Sequence, residues 1–363
     1  MLLFIIIIIQ IMKTITFYNH KGGVSKTTTT FNVAHLMAQQ GKKVLVVDAD
    51  PQCNLTELLI GDLIAKLDKE MADSGKDNEL PGTTLLDLLI PRISGDSPSI
   101  DISNVKTIVV AENLELIRGD VQLSSIEDAL SESHQQRFSS KIHEKRTYVA
   151  IGDFLTRFGT EKTFDYIFMD VGPSSGALTR ACFLACDAFF VPVAPDRFNI
   201  QAIKTLSAII DRWLMEHDKI FDDFISLGLP VKEGKPVFLG AIPQHFKLSK
   251  GKPKPGYKLW IDRLPIAITQ NLFPVLKKYS KTKDLTFGLN GDNITTPAIP
   301  DFQSLAPLMQ EYCKPVFDIS REMTALITES GDPWGGQTWT DAVRRMEAFK
   351  EKFREIVIRI ESF

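Results

Sequence analysis

Lys21-Gly22-Gly23-Val24-Ser25-Lys26-Thr27-Thr28 decides the fold of this chain, together with the apolar run Thr14-Ile15-Thr16-Phe17-Tyr18 just before it. The β-branched and aromatic run predicts a buried strand. Phe31, Val33, Leu36 and Met37 predict a helix after the glycines that stops at Gly41. Strand, glycine turn and helix in that order form the context of a phosphate-binding loop. Glycines let successive backbone N–H groups turn inward around phosphate oxygens, and the helix N-terminus adds partial positive charge. Lys26 then reaches β- and γ-phosphates, and the Thr27 hydroxyl suits Mg²⁺.

Two further apolar runs end in acids. Val44-Leu45-Val46-Val47 leads into Asp48-Ala49-Asp50-Pro51-Gln52, and Tyr166-Ile167-Phe168-Met169 leads into Asp170-Val171-Gly172-Pro173. Each places carboxylates at the C-terminal edge of a parallel strand, where open α/β sheets bind ligands. Ala188 to Val193, followed by Ala194-Pro195-Asp196, and Val237 to Ile242 predict two more buried strands. The expected fold is a doubly wound, mostly parallel α/β sheet with helices on both faces and a C-terminal helical extension.

The form Lys-Gly-Gly-x-x-Lys-Thr resembles the deviant Walker A box of the ParA/MinD family of P-loop ATPases. His20 stands where the first glycine of the ordinary pattern would be, and Ser25 where a glycine usually precedes the lysine. The resemblance implies ATP and Mg²⁺ as ligands, with residues 21–28 cradling the phosphates. It implies that Lys21 reaches across an ATP-dependent homodimer to the partner's nucleotide. It further implies that Asp50 positions the attacking water, that Asp48 supports the metal shell or the loop, and that Asp170 holds Mg²⁺ through water. Pro195 and Asp196 match a segment that lines the adenine pocket, and a residue beyond Gly240 is a further candidate. Phe198 beside them is expected in the core. Thr83-Thr84-Leu85-Leu86-Asp87-Leu88-Leu89 and the segment from Leu114 to Asp120 also resemble ParA rather than MinD segments.

Composition agrees with a large soluble α/β protein. The 363 residues are 44% hydrophobic and 24% charged, enough for a sizeable core. A net charge of −3 excludes a strongly basic nucleic-acid binder, so any polyanion site must be a local patch. The best candidate runs over residues 247–283, where Lys250, Lys252, Lys254, Lys258, Arg263, Lys277, Lys278 and Lys281 face only Asp262. Glycines and prolines make its first part read as an exposed loop, and a plainly solvated loop is the alternative. Four cysteines suggest no disulfide framework and fit a reducing cytoplasm. Cys182 and Cys186 read as small buried side chains rather than cluster ligands.

Residues 1–11 form an apolar extension too short to span a bilayer. An extended first strand, or translation starting at Met12, is the preferred reading over a membrane anchor. Residues 12–330 are expected to form the ATPase domain, with polar surface insertions near 68–82 and 131–146. After a breaker-rich linker from 331, residues 341–361 predict an amphipathic helix with Val343, Met346, Phe349, Phe353, Ile356 and Ile360 on one face. Its plain role is packing on its own core. A dimer helix and a membrane-surface helix are the alternatives, the last weakened by Glu347, Glu351, Glu355 and Glu361.

The expected function is a ParA-like ATPase that dimerises with ATP and binds duplex DNA without sequence preference, in concert with a ParB-like adaptor. A MinD-like positioning ATPase and a metabolic ATP-dependent ligase of the same nucleotide fold are the rivals.

Overall fold

The computed structural model describes residues 12–75 and 79–363, leaving the apolar extension at 1–11 outside the described residues. The sheet strands are β1 (Lys13–Phe17), β2 (Val44–Ala49), β3 (Ile108–Ala111), β4 (Leu114–Ile117), β5 (Tyr166–Val171), β6 (Ala188–Val193) and β7 (Val237–Pro243). Between and after them run the helices α1 (Lys26–Gln39), α2 (Asn54–Ser74), α3 (Leu85–Ile93), α4 (Glu127–Gln135), α5 (Ile142–Glu161), α6 (Ala177–Ala185) and α7 (Arg197–Ser226). The C-terminal third adds α8 (Pro255–Ala267), α9 (Phe273–Tyr279), α10 (Leu305–Glu311) and α11 (Gly336–Ser362).

The strand order is β3-β4-β2-β5-β1-β6-β7, parallel throughout except for the antiparallel edge pair β3 and β4. Helices pack on both faces, so β2, β5, β6 and β7 are buried along their whole length. That double covering explains why they read as unbroken apolar runs rather than as alternating ones. Register matters for the chemistry. Asp48 on β2 is the direct partner of Asp170 on β5, which sets two acids side by side at the sheet's C-terminal edge.

Local signals account for the helix ends. Gly41 at φ 84° closes the turn after α1. Thr84 and Asp87 form a reciprocal capping box that starts α3, with both bonds at 2.9 Å. Asp196 caps α7 by accepting from the Asn199 N–H at 2.8 Å.

Several expectations are corrected. The polar stretch at 68–82 is helical through Ser74 as the end of α2. The stretch at 131–146 holds the last turns of α4, a short 3-10 turn and the start of α5. Polar composition marks the solvated faces of helices at 68–74, 131–135 and 142–146, while residues 79–82 are irregular. Residues 247–283 form a two-stranded ribbon (248–249 with 252–253), then α8, a π-helical turn and α9. The C-terminal helix starts five residues earlier than its apolar period suggests. Its apolar face is covered: Ala342, Met346, Phe349, Phe353, Ile356, Val357 and Ile360 are buried. Arg359 donates to the Leu239 carbonyl of β7 at 3.0 Å, and Lys42 at the end of α1 pairs with Glu361 at 3.5 Å.

Candidate nucleotide site

The turn from β1 into α1 is held before any ligand arrives. Asn19 donates to the Pro192 carbonyl at 2.8 Å and accepts from the Lys21 N–H at 3.1 Å. Gly23 sits at φ 70°, and Ser25 takes φ 62°, ψ 33°, a left-handed conformation that glycine adopts without cost. The Ser25 carbonyl accepts from the Thr29 N–H and hydroxyl at 3.0 and 2.7 Å. The strained residue is thereby fixed as the first turn of α1.

Lys26 is buried, and its ammonium donates to the Lys21 carbonyl at 3.2 Å. Burial lowers its pKa, while Asp170 and Asp50 oppose the shift. His20 is held below its ordinary range by burial and by the charges of Lys21 and Lys26.

The carboxylates divide by their partners. Asp170 is wholly buried and accepts from the Thr30 hydroxyl at 3.5 Å, and the nearby Thr27 side chain favours its charged form. Its other oxygen, Oδ2, has no partner. Burial, and then the neighbouring Asp48, push its pKa upward. A buried carboxylate with an orphaned oxygen beside a threonine hydroxyl fits a hard, oxygen-seeking cation such as Mg²⁺. Among the described residues no cluster of three His, Cys, Asp or Glu side chains forms a complete metal cage.

Asp48 is different. Oδ2 accepts from both the N–H and the hydroxyl of Thr56, at 2.9 and 2.7 Å, and Oδ1 accepts from the Asp50 N–H at 3.2 Å. Both oxygens of Asp48 thus accept hydrogen bonds within the β2–α2 turn. Asp50, by contrast, lines the cavity and spends only Oδ1, on the Gln52 N–H at 3.0 Å. Gly172 makes this possible, since a Cβ there would lie 3.0 Å from Asp50 Oδ1.

The cavity measures about 830 Å³. Residues 22–28, Asp50 and Pro173 form its phosphate end. Pro195 and Asp196 do not contribute to its wall; Asp196 is spent on capping α7. Phe198, expected in the core, is 75% exposed. The opposite wall comes instead from Gln244 and His245 after β7, from residues 299–302, and from Ala306, Met309 and Gln310 of α10. Gln244 is buried and donates to the Thr29 hydroxyl at 2.6 Å, tying this wall to the first turn of α1. The sequence held one usable signal for it: β7, like the other parallel strands, ends in polar residues at the ligand edge. Lys21 lies outside the lining and is exposed, its side chain free for another partner.

Comparison with known proteins agrees with this geometry. The AAA_31 family, described as an AAA domain, matches residues 12–221. The sporulation initiation inhibitor protein Soj of Bacillus subtilis is 32% identical over 194 residues, covering 53% of this chain and 63% of that protein. The chromosome partitioning protein ParA of Caulobacter vibrioides is 31% identical over 202 residues, covering 55% and 63%. The chain thus spans less than two thirds of the length of these relatives. A solved structure of Cyanothece McdA(D38A) in complex with ATP shares the fold with a TM-score of 0.54 at 19% identity, over 94% of this chain and 96% of that one. The chain belongs to the AAA_31 family of AAA domains and is of the ParA type among the ParA/MinD P-loop ATPases.

Proposed function

We propose that this protein hydrolyses ATP to ADP and phosphate and, as an ATP-dependent dimer, binds duplex DNA without sequence preference in a partitioning system. The observation that carries the reading is the glycine-loop cavity, closed at one end by Lys26 and Thr27 and flanked by Asp50 and Asp170. Lys26 leaves the Lys21 carbonyl to pair with β- and γ-phosphate oxygens. Asp170 and the Thr27 hydroxyl hold Mg²⁺, which supplies charge neutralisation on the phosphates when bound. Asp50 orients the attacking water through its free oxygen. Lys21 of the facing subunit adds positive charge where negative charge develops on the transferred phosphoryl group.

DNA binding is assigned to Lys250, Lys252 and Lys254 on the ribbon and its exit. No ion pair engages them among the described residues, whereas Lys258, Lys278, Lys281 and Lys283 are paired with Asp262, Asp211, Asp218 and Glu233. Arg263 and Lys277 lie over the Trp260 and Phe273 rings instead, so the ribbon holds the part of residues 247–283 with neither kind of partner. Lys250 at φ 49° and Gly251 at φ 76° make the ribbon's tight tip, where lysines reach phosphates. A ParB-like adaptor completes the system by analogy with the partitioning relative, and its site of action is the cytoplasmic DNA. The membrane-bound alternative is weakened because the apolar face of α11 is already covered, and no helix among the described residues is long and apolar enough to cross a membrane.

Two variants test the chemistry. Lys26→Ala is expected to abolish tight ATP binding, because the loop loses its phosphate-facing cation. Asp50→Ala is expected to keep ATP bound while single-turnover hydrolysis falls about 100-fold or more. Equal turnover in wild type and Asp50→Ala would remove that residue from the mechanism.

A further inference from the structure

The loop between β5 and α6, residues 172–176, begins two residues after Asp170 and meets the nucleotide site twice. Gly172 lies against the Asp50 carboxylate, and Pro173 lines the cavity. The middle of the loop is tied to the chain after β1, where the Tyr18 hydroxyl donates to the Ser174 carbonyl at 3.1 Å. Its far end is held differently. Gly176 is the N-cap of α6 and brings no side chain to the free N–H groups of the helix. Glu127 of α4 brings one instead. Its Oε1 accepts from the Ala177 N–H, and its Oε2 accepts from the Leu178 N–H at 3.1 Å. Gly176 makes the room: its backbone, at φ −72° and ψ −177°, suits any residue, but a Cβ there would overlap Glu127 Oε1.

The segment that ends in Glu127 also holds the other acid-bearing loop. Asp120 starts a 3-10 turn over Val121–Ile126 by accepting from the Gln122 N–H at 2.8 Å, and the turn runs straight into α4. Leu123 and Ile126 are buried, which anchors the turn in the core. Just before it, the Gly119 N–H donates to the Thr56 hydroxyl at 2.9 Å, and that hydroxyl donates to Asp48 Oδ2 at 2.7 Å. Asp48 in turn accepts from the Asp50 N–H at 3.2 Å. One end of the segment therefore fixes the turn that carries Asp50. The other end fixes the loop against which Asp50 packs.

We propose, on the nucleotide reading of the cavity, that residues 119–127 brace the two acid-bearing loops against each other. Glu127 is the positioning residue through which the brace sets Gly172, and with it the free oxygen of Asp50. A cap supplied by the helix's own first residues would serve α6 alone. A carboxylate 50 residues away in the chain makes the start of α6 depend on where α4 stands, and α4 is continuous with the contact at Thr56 and Asp48. Among the described residues no hydrogen bond joins residues 119–127 to the phosphate-binding loop at 21–28. Loss of Glu127 should therefore slow the step that needs an oriented water more than it weakens nucleotide binding.

Two substitutions in the full chain break the contact from opposite sides. Glu127→Gln keeps the size but turns an amide N–H₂ toward the α6 N-terminus, and Gly176→Ala displaces the carboxylate with a methyl group. In either variant, amide hydrogen exchange of the ligand-free protein should speed about tenfold or more at Ala177 and Leu178. It should also speed at Gln52, whose N–H bonds to Asp50 Oδ1 at 3.0 Å. Single-turnover ATP hydrolysis should fall about tenfold or more, with ADP affinity within about threefold of wild type. In the Glu127→Ala background, Gly176→Ala should cost little further, because the methyl fills space the carboxylate has left. Faster exchange at Ala177 and Leu178 with Gln52 unchanged would make Glu127 a cap for α6 alone and overturn the brace. So would unchanged hydrolysis, hydrolysis and ADP affinity falling in step, or fully additive effects of the two substitutions. If Glu127→Gln does not fold, Gly176→Ala carries the same readings. A wild-type protein that hydrolyses no ATP counts against the nucleotide reading instead, and exchange at Gln52 still decides the brace because it needs no nucleotide.

Discussion

Two residues at the phosphate end carry a cost that can be measured. Ser25 holds a left-handed backbone, which disfavours a non-glycine residue by about 1–2 kcal/mol. Glycine removes that strain but adds about 0.5–1 kcal/mol of unfolded-chain entropy. Ser25→Gly should therefore stabilise the protein by about 0.5–1 kcal/mol in urea unfolding; a destabilised variant would mean that the serine hydroxyl makes an unrecognised contribution. Asp170 is the second case. Its folded pKa is raised, so the folded state keeps a proton over a range where the unfolded chain has released it. Without Mg²⁺ this group makes stability fall as pH rises from about 4 through neutrality, by at most about 1.4 kcal/mol per pH unit. Burial holds His35 and His217 at a pKa of about 4, which acts in the opposite sense as pH falls below 6.5. Both histidines remain in Asp170→Asn, so the difference between the two proteins reports Asp170 together with its neighbour Asp48. The Asn variant should gain on wild type with rising pH in metal-free buffer and lose Mg²⁺-dependent nucleotide affinity; a difference that does not vary with pH would show that Asp170 ionises normally. Legibility at this scale was uneven for a physical reason. Lys26, Thr27, Asp50 and Asp170 stand at strand ends and in a glycine turn, so their place at the sheet's ligand edge is readable from position alone. Asp48 looks equivalent to Asp170 in sequence, and only the three-dimensional partner Thr56 shows that it also holds the β2–α2 turn.

Elements were legible where burial set their pattern. The runs that became β1, β2, β5, β6 and β7 are apolar because both sheet faces are covered, and the periodic face of α11 is apolar because one side packs on the core. The ribbon and α8 were not legible: α8 buries only Leu264, so it carries no clean period, and its prolines and glycines read as a loop. The opposite wall of the nucleotide cavity was equally hidden, because it is assembled from segments with no regular period. α11 supports that wall directly. Phe302 lines the cavity, and its ring packs edge-on against Phe349 at 4.8 Å and Phe353 at 6.3 Å. Phe349→Ala should cost about 3 kcal/mol of stability. It should also weaken ADP binding several-fold although the residue is outside the cavity lining, because Phe302 loses its backing. Phe349→Leu should restore most of both. Unchanged ADP affinity in a folded Phe349→Ala protein would separate α11 from the nucleotide site.

At the scale of the whole molecule, the net charge of −3 sets the problem that assembly must solve. A single copy offers DNA only the few lysines of one ribbon against an acidic background, too little for firm binding at physiological salt. Two copies joined across their nucleotides would present two such ribbons, and counterion release from both makes the binding steep in salt. In the proposed mechanism Lys21 would tie assembly to nucleotide, since its backbone is fixed by Asn19 while its exposed side chain does not line its own cavity. Light scattering should then find a monomer with ADP and a dimer with ATP, with Asp50→Ala trapped as the dimer. That trapped dimer should bind duplex DNA of unrelated sequences with similar affinity. Lys21→Ala should bind nucleotide yet lose hydrolysis and the ATP dimer, and with it the DNA. Changing Lys250, Lys252 and Lys254 to glutamate in the trapped protein should leave the dimer intact and abolish DNA binding. Undiminished DNA affinity in that variant would move the contact to another surface, and DNA binding by the monomer with ADP would break the link between assembly and DNA altogether.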